Sequence, residues 1–266
     1  MMGSGWRPLS TVDVRGAVTF TLWLCGCNLR CPFCHNHSLA SLDPLKCRVL
    51  DLNELMEDLL PSSGLIDYFH VTGGEPLLQW RPLSDLLREV ASQGVRVSLN
   101  TNLTLPSRLQ DLLSRVEVNH LATDLKIPPH ELYGLPESEA WGRWEDFLLG
   151  LRMASRSVER LEVRVPVARS LSVDELRRYA GEALSRIDCD YEIVVHPLLG
   201  PPLTDPRDED WCRLNCDPDG ELLQEVLEVL TEISGRRVFL RGCSIAPRPF
   251  HQGGPDRAQC SPSSGP

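Results

Sequence analysis

Six short β-like runs alternate with five helix-like runs between residues 17 and 198, and no other feature of the sequence restricts the fold as much. The strand-like runs are Ala17–Leu24, Leu65–Thr72, Val95–Asn100, Val118–Lys126, Leu161–Ala168 and Asp190–Leu198. Between them, 3.6-residue spacing of apolar side chains predicts helices over Leu52–Leu60 (ended by Pro61), Pro82–Gly94, Pro106–Val116, Trp144–Ser157 and Ser172–Ile187. A helix between consecutive strands lets the chain return and pair in parallel, so one parallel sheet is expected. An open or closed α/β barrel and a doubly wound sheet both satisfy that pattern, and in each the ligands gather at the C-terminal ends of the strands.

That expectation can be checked on the sequence. The first strand runs into a cysteine cluster, CGCNLRCPFCHN (Cys25–Asn36), and the second into TGGEP (Thr72–Pro76). The third ends in NTN (Asn100–Asn102) and the fourth in DLK (Asp124–Lys126). The fifth carries Arg164, and the sixth ends near His196. Six strands thus deliver polar or glycine-rich residues to one rim. Lys126 stands out further: of 27 basic residues only Lys46 and Lys126 are lysines, so a compact ammonium is present where the chain otherwise uses arginine.

The net charge of −10 disfavours a phosphate backbone as ligand, so no nucleic-acid partner is expected. No apolar run reaches the ~20 residues of a membrane span, and the N-terminus lacks a signal-peptide layout, so a cytoplasmic protein with no membrane partner is expected. In the cytosol, clustered cysteines more often bind metal or do redox chemistry than form disulfides. Of the ten cysteines, Cys47 and Cys189 have no sequence neighbour and read as small core hydrophobes. Cys27, Cys31 and Cys34 have the spacing C-x3-C-x2-C. A structural zinc site wants four ligands, usually in two spaced pairs. Three thiolates on one tight loop can instead hold three irons of a 4Fe-4S cube and leave the fourth open. Cys25 ends the first strand and is read as a buried strand cysteine.

The segment from Ser10 to Gly200, and above all CNLRCPFCHN followed by VTGGEPLLQ, resembles the radical S-adenosylmethionine (radical SAM) superfamily, and within it the glycyl-radical-enzyme activases. The resemblance implies an α/β fold, a partial (βα)6 TIM-like barrel over residues 10–200 with a C-terminal extension over 201–266. It implies a 4Fe-4S cluster on Cys27, Cys31 and Cys34, whose open iron takes the methionine end of SAM. Reductive cleavage then yields methionine and a 5′-deoxyadenosyl radical that abstracts hydrogen, with no catalytic side chain beyond cluster and SAM. SAM contacts are implied for Phe33 and Asn36 (adenine), for Gly73, Gly74 and Glu75 (methionine amino group), and for Thr101 and Asn102. Asp124, Lys126, Arg164 and His196 complete the set. Asn100 departs from the family, where many members carry an acid proposed to bind a monovalent cation. A reduced flavodoxin or ferredoxin-type donor and a glycyl-radical protein are the implied partners.

Beyond Leu199 the chain turns Pro- and Asp-rich, then predicts a helix over Glu221–Ile233 and a last strand in RRVFLRGC. Cys212, Cys216, Cys243 and Cys260 in this extension are either incidental thiols or ligands of a second cluster or zinc. Three functions compete: an activase of a glycyl-radical protein, a radical SAM enzyme acting on a small molecule, nucleoside or peptide side chain, and a Cys-rich module holding structural zinc.

Overall fold

The computed structural model describes residues 1–241. All six expected strands form: β2 (Thr19–Leu24), β4 (Tyr68–Gly73), β5 (Val97–Asn100), β6 (His120–Asp124), β7 (Arg160–Val167) and β8 (Tyr191–Pro197). They pair in parallel and in chain order. The strand foreseen near the C-terminus, β9 (Val238–Leu240), adds a seventh parallel member beside β8. Two strands escaped the sequence pattern. β1 (Met2–Ser10) pairs antiparallel with β2, and β3 (Arg48–Val49) pairs antiparallel with β1. Among the described residues nine strands form one sheet, β3-β1-β2-β4-β5-β6-β7-β8-β9, whose edges do not pair with each other.

The helices follow their caps more than their proline signals. Asp51 accepts from the backbone N–H groups of Asn53 and Glu54 and starts helix Leu52–Ser62, with Pro61 inside its last turn instead of ending it. Ser172 and Asp219 cap helices Val173–Leu184 and Gly220–Ser234 in the same way. Helix Glu137–Ser155 begins seven residues before the apolar pattern does, carried by Glu137 and Glu139 in its first turn. The helix faces and the outward strand residues share one apolar core, in which Phe20 and Phe69 stack at 5.4 Å.

Residues 201–241 pack back on the barrel. Helix Glu209–Asn215 rests against the cysteine loop through Phe33 and Trp211, whose rings are 6.2 Å apart. Helix Gly220–Ser234 leads into β9. No helix among the described residues is long and apolar enough to cross a membrane.

Two readings of the cysteines are corrected. Cys25 is not an isolated strand thiol, nor Cys47 a lone core hydrophobe: they form a disulfide. The pairing of β3 with β1, and of β1 with β2, folds residue 47 back beside residue 25, which sequence distance alone conceals. Cys212 and Cys216 also form a disulfide, which removes them as thiolate ligands of a second metal site in this state. They lie one turn apart on and just after a short helix, close enough to bond each other. Cys243 and Cys260 lie outside the described residues.

Candidate active site

The cysteine loop leaves β2 and is anchored by the glycines of the second strand's rim. Gly74 N–H donates to the Leu24 carbonyl at 2.8 Å and Glu75 N–H to that of Gly26 at 2.7 Å. A Cβ on Gly73 would stand 2.2 Å from the Leu24 oxygen, and one on Gly74 2.1 Å from the Gly26 oxygen. Gly73 also has φ +114°, where side chains other than hydrogen are strained. This pair is required because two backbones touch at the root of the loop. On the other side Gly134 lies so close that a Cβ would meet the Arg30 carbonyl at 2.0 Å, while Arg30 N–H donates to Tyr133.

Glu75 is fully buried, and the structure commits both of its oxygens. Oε1 accepts from Leu77 N–H at 2.9 Å and the Thr101 hydroxyl at 2.7 Å; Oε2 accepts from Asn102 N–H at 2.7 Å. Burial raises its pKa, opposed by these donors and by Lys126. Its carboxylate therefore pins the NTN loop to the GGE turn. Asn102 in turn joins a closed ring: its amide donates to Asn28 (3.0 Å), Asn28 donates to Thr104 (2.7 Å), and the Thr104 hydroxyl donates back to Asn102 (2.7 Å). Asn28 and Thr104 were not singled out from the sequence. Their roles depend on contact across 76 residues, although Asn28 lies inside the cysteine motif itself.

Cys27, Cys31 and Cys34 are free thiols on one loop. Burial pushes the Cys27 thiol up to about 11, with Glu75 adding to it, and the Cys31 thiol up to about 12 against the pull of Lys126. Burial raises Cys34 as well, opposed by the Asn36 N–H, Arg207 and Lys126. The Leu29 N–H lies 3.4 Å from the Cys27 sulfur and the Asn102 amide 3.9 Å from it. N–H donors and cations aimed at sulfur serve thiolates, which a metal centre creates by displacing the protons. Among the described residues no three His, Cys, Asp or Glu side chains close around a single ion. A cube distributes its thiolates over separate irons. This donor set therefore fits a 4Fe-4S cluster better than one zinc ion.

Lys126, 6% exposed, meets Asp124 Oδ2 at 3.2 Å. Burial works against its charge, but Asp124 and then Cys31 hold its pKa above the ordinary value. Burial likewise opposes ionisation of Asp124, yet Lys126, Arg164 and His196 keep it below the usual range. The only lysine of the barrel rim is thus a buried cation facing both an acid and the thiols. Asn36 stands at the N-cap of the short helix His37–Ala40, its side chain caps nothing, and the amide has no hydrogen-bond partner among the described residues. His196 is the next-to-last residue of β8, where burial and then Arg241 push its pKa down to about 4. His35, which the sequence reading passed over, feels Asp124 and Arg241 from the same rim.

Two expected contacts have other partners here. Phe33 packs on Trp211 and the Cys212–Cys216 bridge. The Arg164 guanidinium turns down the barrel, donating to Glu162 at 2.5 Å and to the Asp13 carbonyl at 3.0 Å. It joins a buried polar layer below the rim. His70 Nδ1 and Ser98 lie 2.7 Å apart, Ser98 and His120 Nδ1 2.8 Å, and Thr21 donates to Asp13 at 2.8 Å.

Residues 22–183 match the family model described as the Radical SAM superfamily. The chain is 35% identical over 164 residues to a 7-carboxy-7-deazaguanine synthase of Hyperthermus butylicus, covering 58% of this chain and 67% of that protein. It is 31% identical over 123 residues to a Methanocaldococcus jannaschii protein provisionally named a glycyl-radical enzyme activating enzyme, covering 46% of this chain and 49% of that one. The alignment thus spans about half the length of that relative. A radical SAM methyltransferase from Sphaerobacter thermophilus is similar in fold, with a TM-score of 0.61 at 15% identity over 88% of this chain and 68% of that one.

Proposed function

The chain belongs to the radical SAM superfamily, and from that premise we propose that it activates a glycyl-radical enzyme, taking a hydrogen atom from a glycine Cα presented on a loop of that partner. The superfamily uses a 4Fe-4S cluster and SAM. When bound, the reduced cluster supplies the electron that splits a C–S bond of SAM, whose adenosyl fragment then takes the substrate hydrogen. The work of the protein is binding, orientation and exclusion of water.

In this reading Cys27, Cys31 and Cys34 hold three irons. The turn at Gly73, Gly74 and Glu75 offers backbone to the methionine amino group, while the Glu75 side chain fixes Thr101 and Asn102. Lys126, held charged by Asp124, meets the carboxylate or ribose oxygens as a point charge. The uncommitted Asn36 amide reads the adenine edge. His196, with its pKa near 4, is neutral at pH 7 and can bond to a ribose hydroxyl without adding charge. Arg164 acts from below, through the field it exerts on Asp124. Electrons come from a reduced flavodoxin or a ferredoxin-type donor.

The observation that carries the activase reading is the open sheet: among the described residues its edge strands, β3 and β9, do not pair with each other. A peptide loop tethered at both ends to a folded partner needs a lateral entrance, which an unclosed barrel supplies. The second reading, reaction of a small heterocycle at the same rim, is favoured by the similarity to the 7-carboxy-7-deazaguanine synthase.

The test is isotopic. Protein reconstituted anaerobically with iron and sulfide is reduced with SAM and a peptide deuterated at the Cα of its glycine. Deuterium in 5′-deoxyadenosine supports the activase. Label transfer only from a deuterated small heterocycle selects the second reading, and a colourless protein that never cleaves SAM sinks both.

A further inference from the structure

The three thiols share one loop, and each stretch of it is held by a different part of the chain. Arg30 N–H donates to the Tyr133 carbonyl at 2.9 Å, and Asp208 N–H donates to the Pro32 carbonyl at 3.0 Å. Both are backbone bonds, placed beside the second and third cysteines. The first cysteine is secured by side chains instead. Asn28, the residue after Cys27, is bound to the loop that follows β5.

That attachment is the ring of Asn28, Asn102 and Thr104, and one backbone group dictates its direction. The Thr104 N–H can only donate, and it meets the Asn102 side chain at 3.0 Å, so the atom facing it is the amide oxygen Oδ1. Asn102 Nδ2 must then donate to Asn28 Oδ1 (3.0 Å), and Asn28 Nδ2 to the Thr104 hydroxyl (2.7 Å). The hydroxyl closes the circuit by donating to Asn102 Oδ1 at 2.7 Å. Each group donates to the next, an order in which the bonds polarise one another. Thr104 is fully buried and the two asparagines are half-buried, so water competes little with the ring. Asn102 has little capacity left for another partner. Both of its lone pairs accept from Thr104, its backbone N–H is taken by Glu75 at 2.7 Å, and its Nδ2 stands 3.9 Å from the Cys27 sulfur. The Leu29 N–H lies 3.4 Å from the same sulfur.

We propose that Asn28, Asn102 and Thr104 are positioning residues for the first cluster ligand: their ring holds the Cys27 sulfur in its ligating place in the apo-protein and keeps an Asn102 N–H on it once a cluster is bound. This rests on the reading of Cys27, Cys31 and Cys34 as cluster ligands. A mobile loop must be ordered as it takes up a cluster, and that ordering opposes binding. A loop fixed beforehand avoids the loss. An N–H aimed at a ligand sulfur also orients it and favours its anionic form, as outer-shell partners of metal ligands do. Through Glu75, the same ring ties the place of Cys27 to the turn at Gly73 and Gly74.

The test uses Thr104→Val, which keeps the shape and removes the hydroxyl, Asn28→Ala, the double variant, and Thr104→Ser as the rescue. In the apo-protein, residue-resolved hydrogen exchange reads the Leu29 amide beside the Cys27 sulfur, with the Cys34 amide as reference on the same loop. Leu29 exchange is expected to quicken about tenfold in T104V and in N28A, while Cys34 stays within about twofold of the parent. In the reconstituted protein, release of iron to a chelator should quicken about tenfold in the same two variants, and T104S should bring both rates back to within about twofold of the parent. Either single change opens the same ring, so the double variant should be no faster than the faster single one, whereas independent contributions would multiply to about a hundredfold. Multiplying factors, equal quickening at Cys34, or an unchanged Leu29 rate overturns the proposal. If T104V does not fold, N28A, at a half-buried position, carries the test on both rates. Failure of the parent protein to form any 4Fe-4S cluster instead sinks the reading of the three cysteines, whatever the exchange rates show.

Discussion

The barrel carries two polar layers on the same strands, and they have opposite characters. At the rim, Cys27, Glu75, Asn102 and Lys126 lie on loops that follow β2, β4, β5 and β6, and several of their donors aim at sulfur. Below it, Thr21, His70, Ser98 and His120 lie in register on those same four strands and bond mainly to each other. Glu162 and Arg164 on β7 complete the lower layer. Polarity inside a barrel is therefore not in itself a sign of chemistry. What differs is where the polar groups aim: several donors of the rim face thiol sulfur, whereas the groups below face one another, down to His120 Nε2 and Glu162 Oε2 at 3.8 Å.

If that division holds, substitutions at the rim should remove chemistry with little loss of stability, and those below should do the reverse. The largest expected effect is at the rim. Cys31→Ala should abolish the brown colour of the reconstituted protein and bring SAM cleavage to background, while thermal unfolding of the apo-protein changes little in comparison. Iron analysis and quantitation of 5′-deoxyadenosine check both halves. Retention of a full cluster by this variant would remove Cys31 from the ligand set.

Glu162→Ala tests the lower layer. Burial works against the carboxylate, but His120 and Arg164 hold its pKa down to about 2, and its removal leaves Arg164 buried with only the Asp13 carbonyl. Breaking such a pair costs roughly 3–5 kcal/mol. Urea unfolding of the apo-protein should show that loss, with iron per chain unchanged after reconstitution. The same layer sets an acid limit. Glu162 ionises near 2 in the fold but near 4.5 when unfolded, so its contribution is present above pH 4.5 and fades as pH falls through 2. His70 is held neutral, mainly by burial and then by Arg164, with a folded pKa of about 3 against 6.5 unfolded. Its contribution is complete above pH 6.5 and is lost as the unfolded chain takes up the proton towards pH 3. Both slopes have the same sign, so apo-protein stability should rise steadily from pH 3 to 6.5. A flat profile would mean that the histidines are not buried neutral.

The disulfides give a smaller effect that sharpens the contrast. Cys25–Cys47 closes a separation of 22 residues next to the cluster loop. Chain entropy assigns such a closure about 3 kcal/mol. Cys47→Ser should lower stability by about that amount and leave iron content and SAM cleavage intact, although Cys25 lies two residues from a ligand. Cys212→Ala should likewise leave the iron count unchanged. A drop there would revive the second metal site that the Cys212–Cys216 bridge argues against.

The rim was legible because its signals are local. Spacing revealed the three thiols, a glycine pair marked the close approach after β4, and a rare lysine identified Lys126. Strand and helix periodicity located the six parallel strands within a few residues. What escaped was long-range. β1 lacks the alternation of a half-buried strand, having four glycine or serine residues among nine, and becomes a strand only by pairing with β2 and β3. The Cys25–Cys47 bridge depends on that pairing. His70, Ser98 and His120 each look like an ordinary polar residue in a strand, and only lateral register joins them. Residues 200–220 read as a linker because they are rich in proline and aspartate, yet Asp208 caps a helix and, with Trp211, clasps Pro32 and Phe33.

The smallest effect lies at the boundary between the layers. Asn100 ends β5, and its amide donates to the Thr72 hydroxyl at 2.9 Å, one step above the His70–Ser98 pair. Asn100→Asp reverses that bond without losing it, because the hydroxyl can donate to a carboxylate as readily as it accepts from an amide. Stability should change by no more than about 1 kcal/mol. The new charge, however, stands at the rim, where a cation could answer it. SAM cleavage by this variant should therefore respond to added potassium or sodium more than that of the parent. If the variant ignores both cations while keeping its activity, position 100 belongs with the self-satisfied layer below and not with the rim.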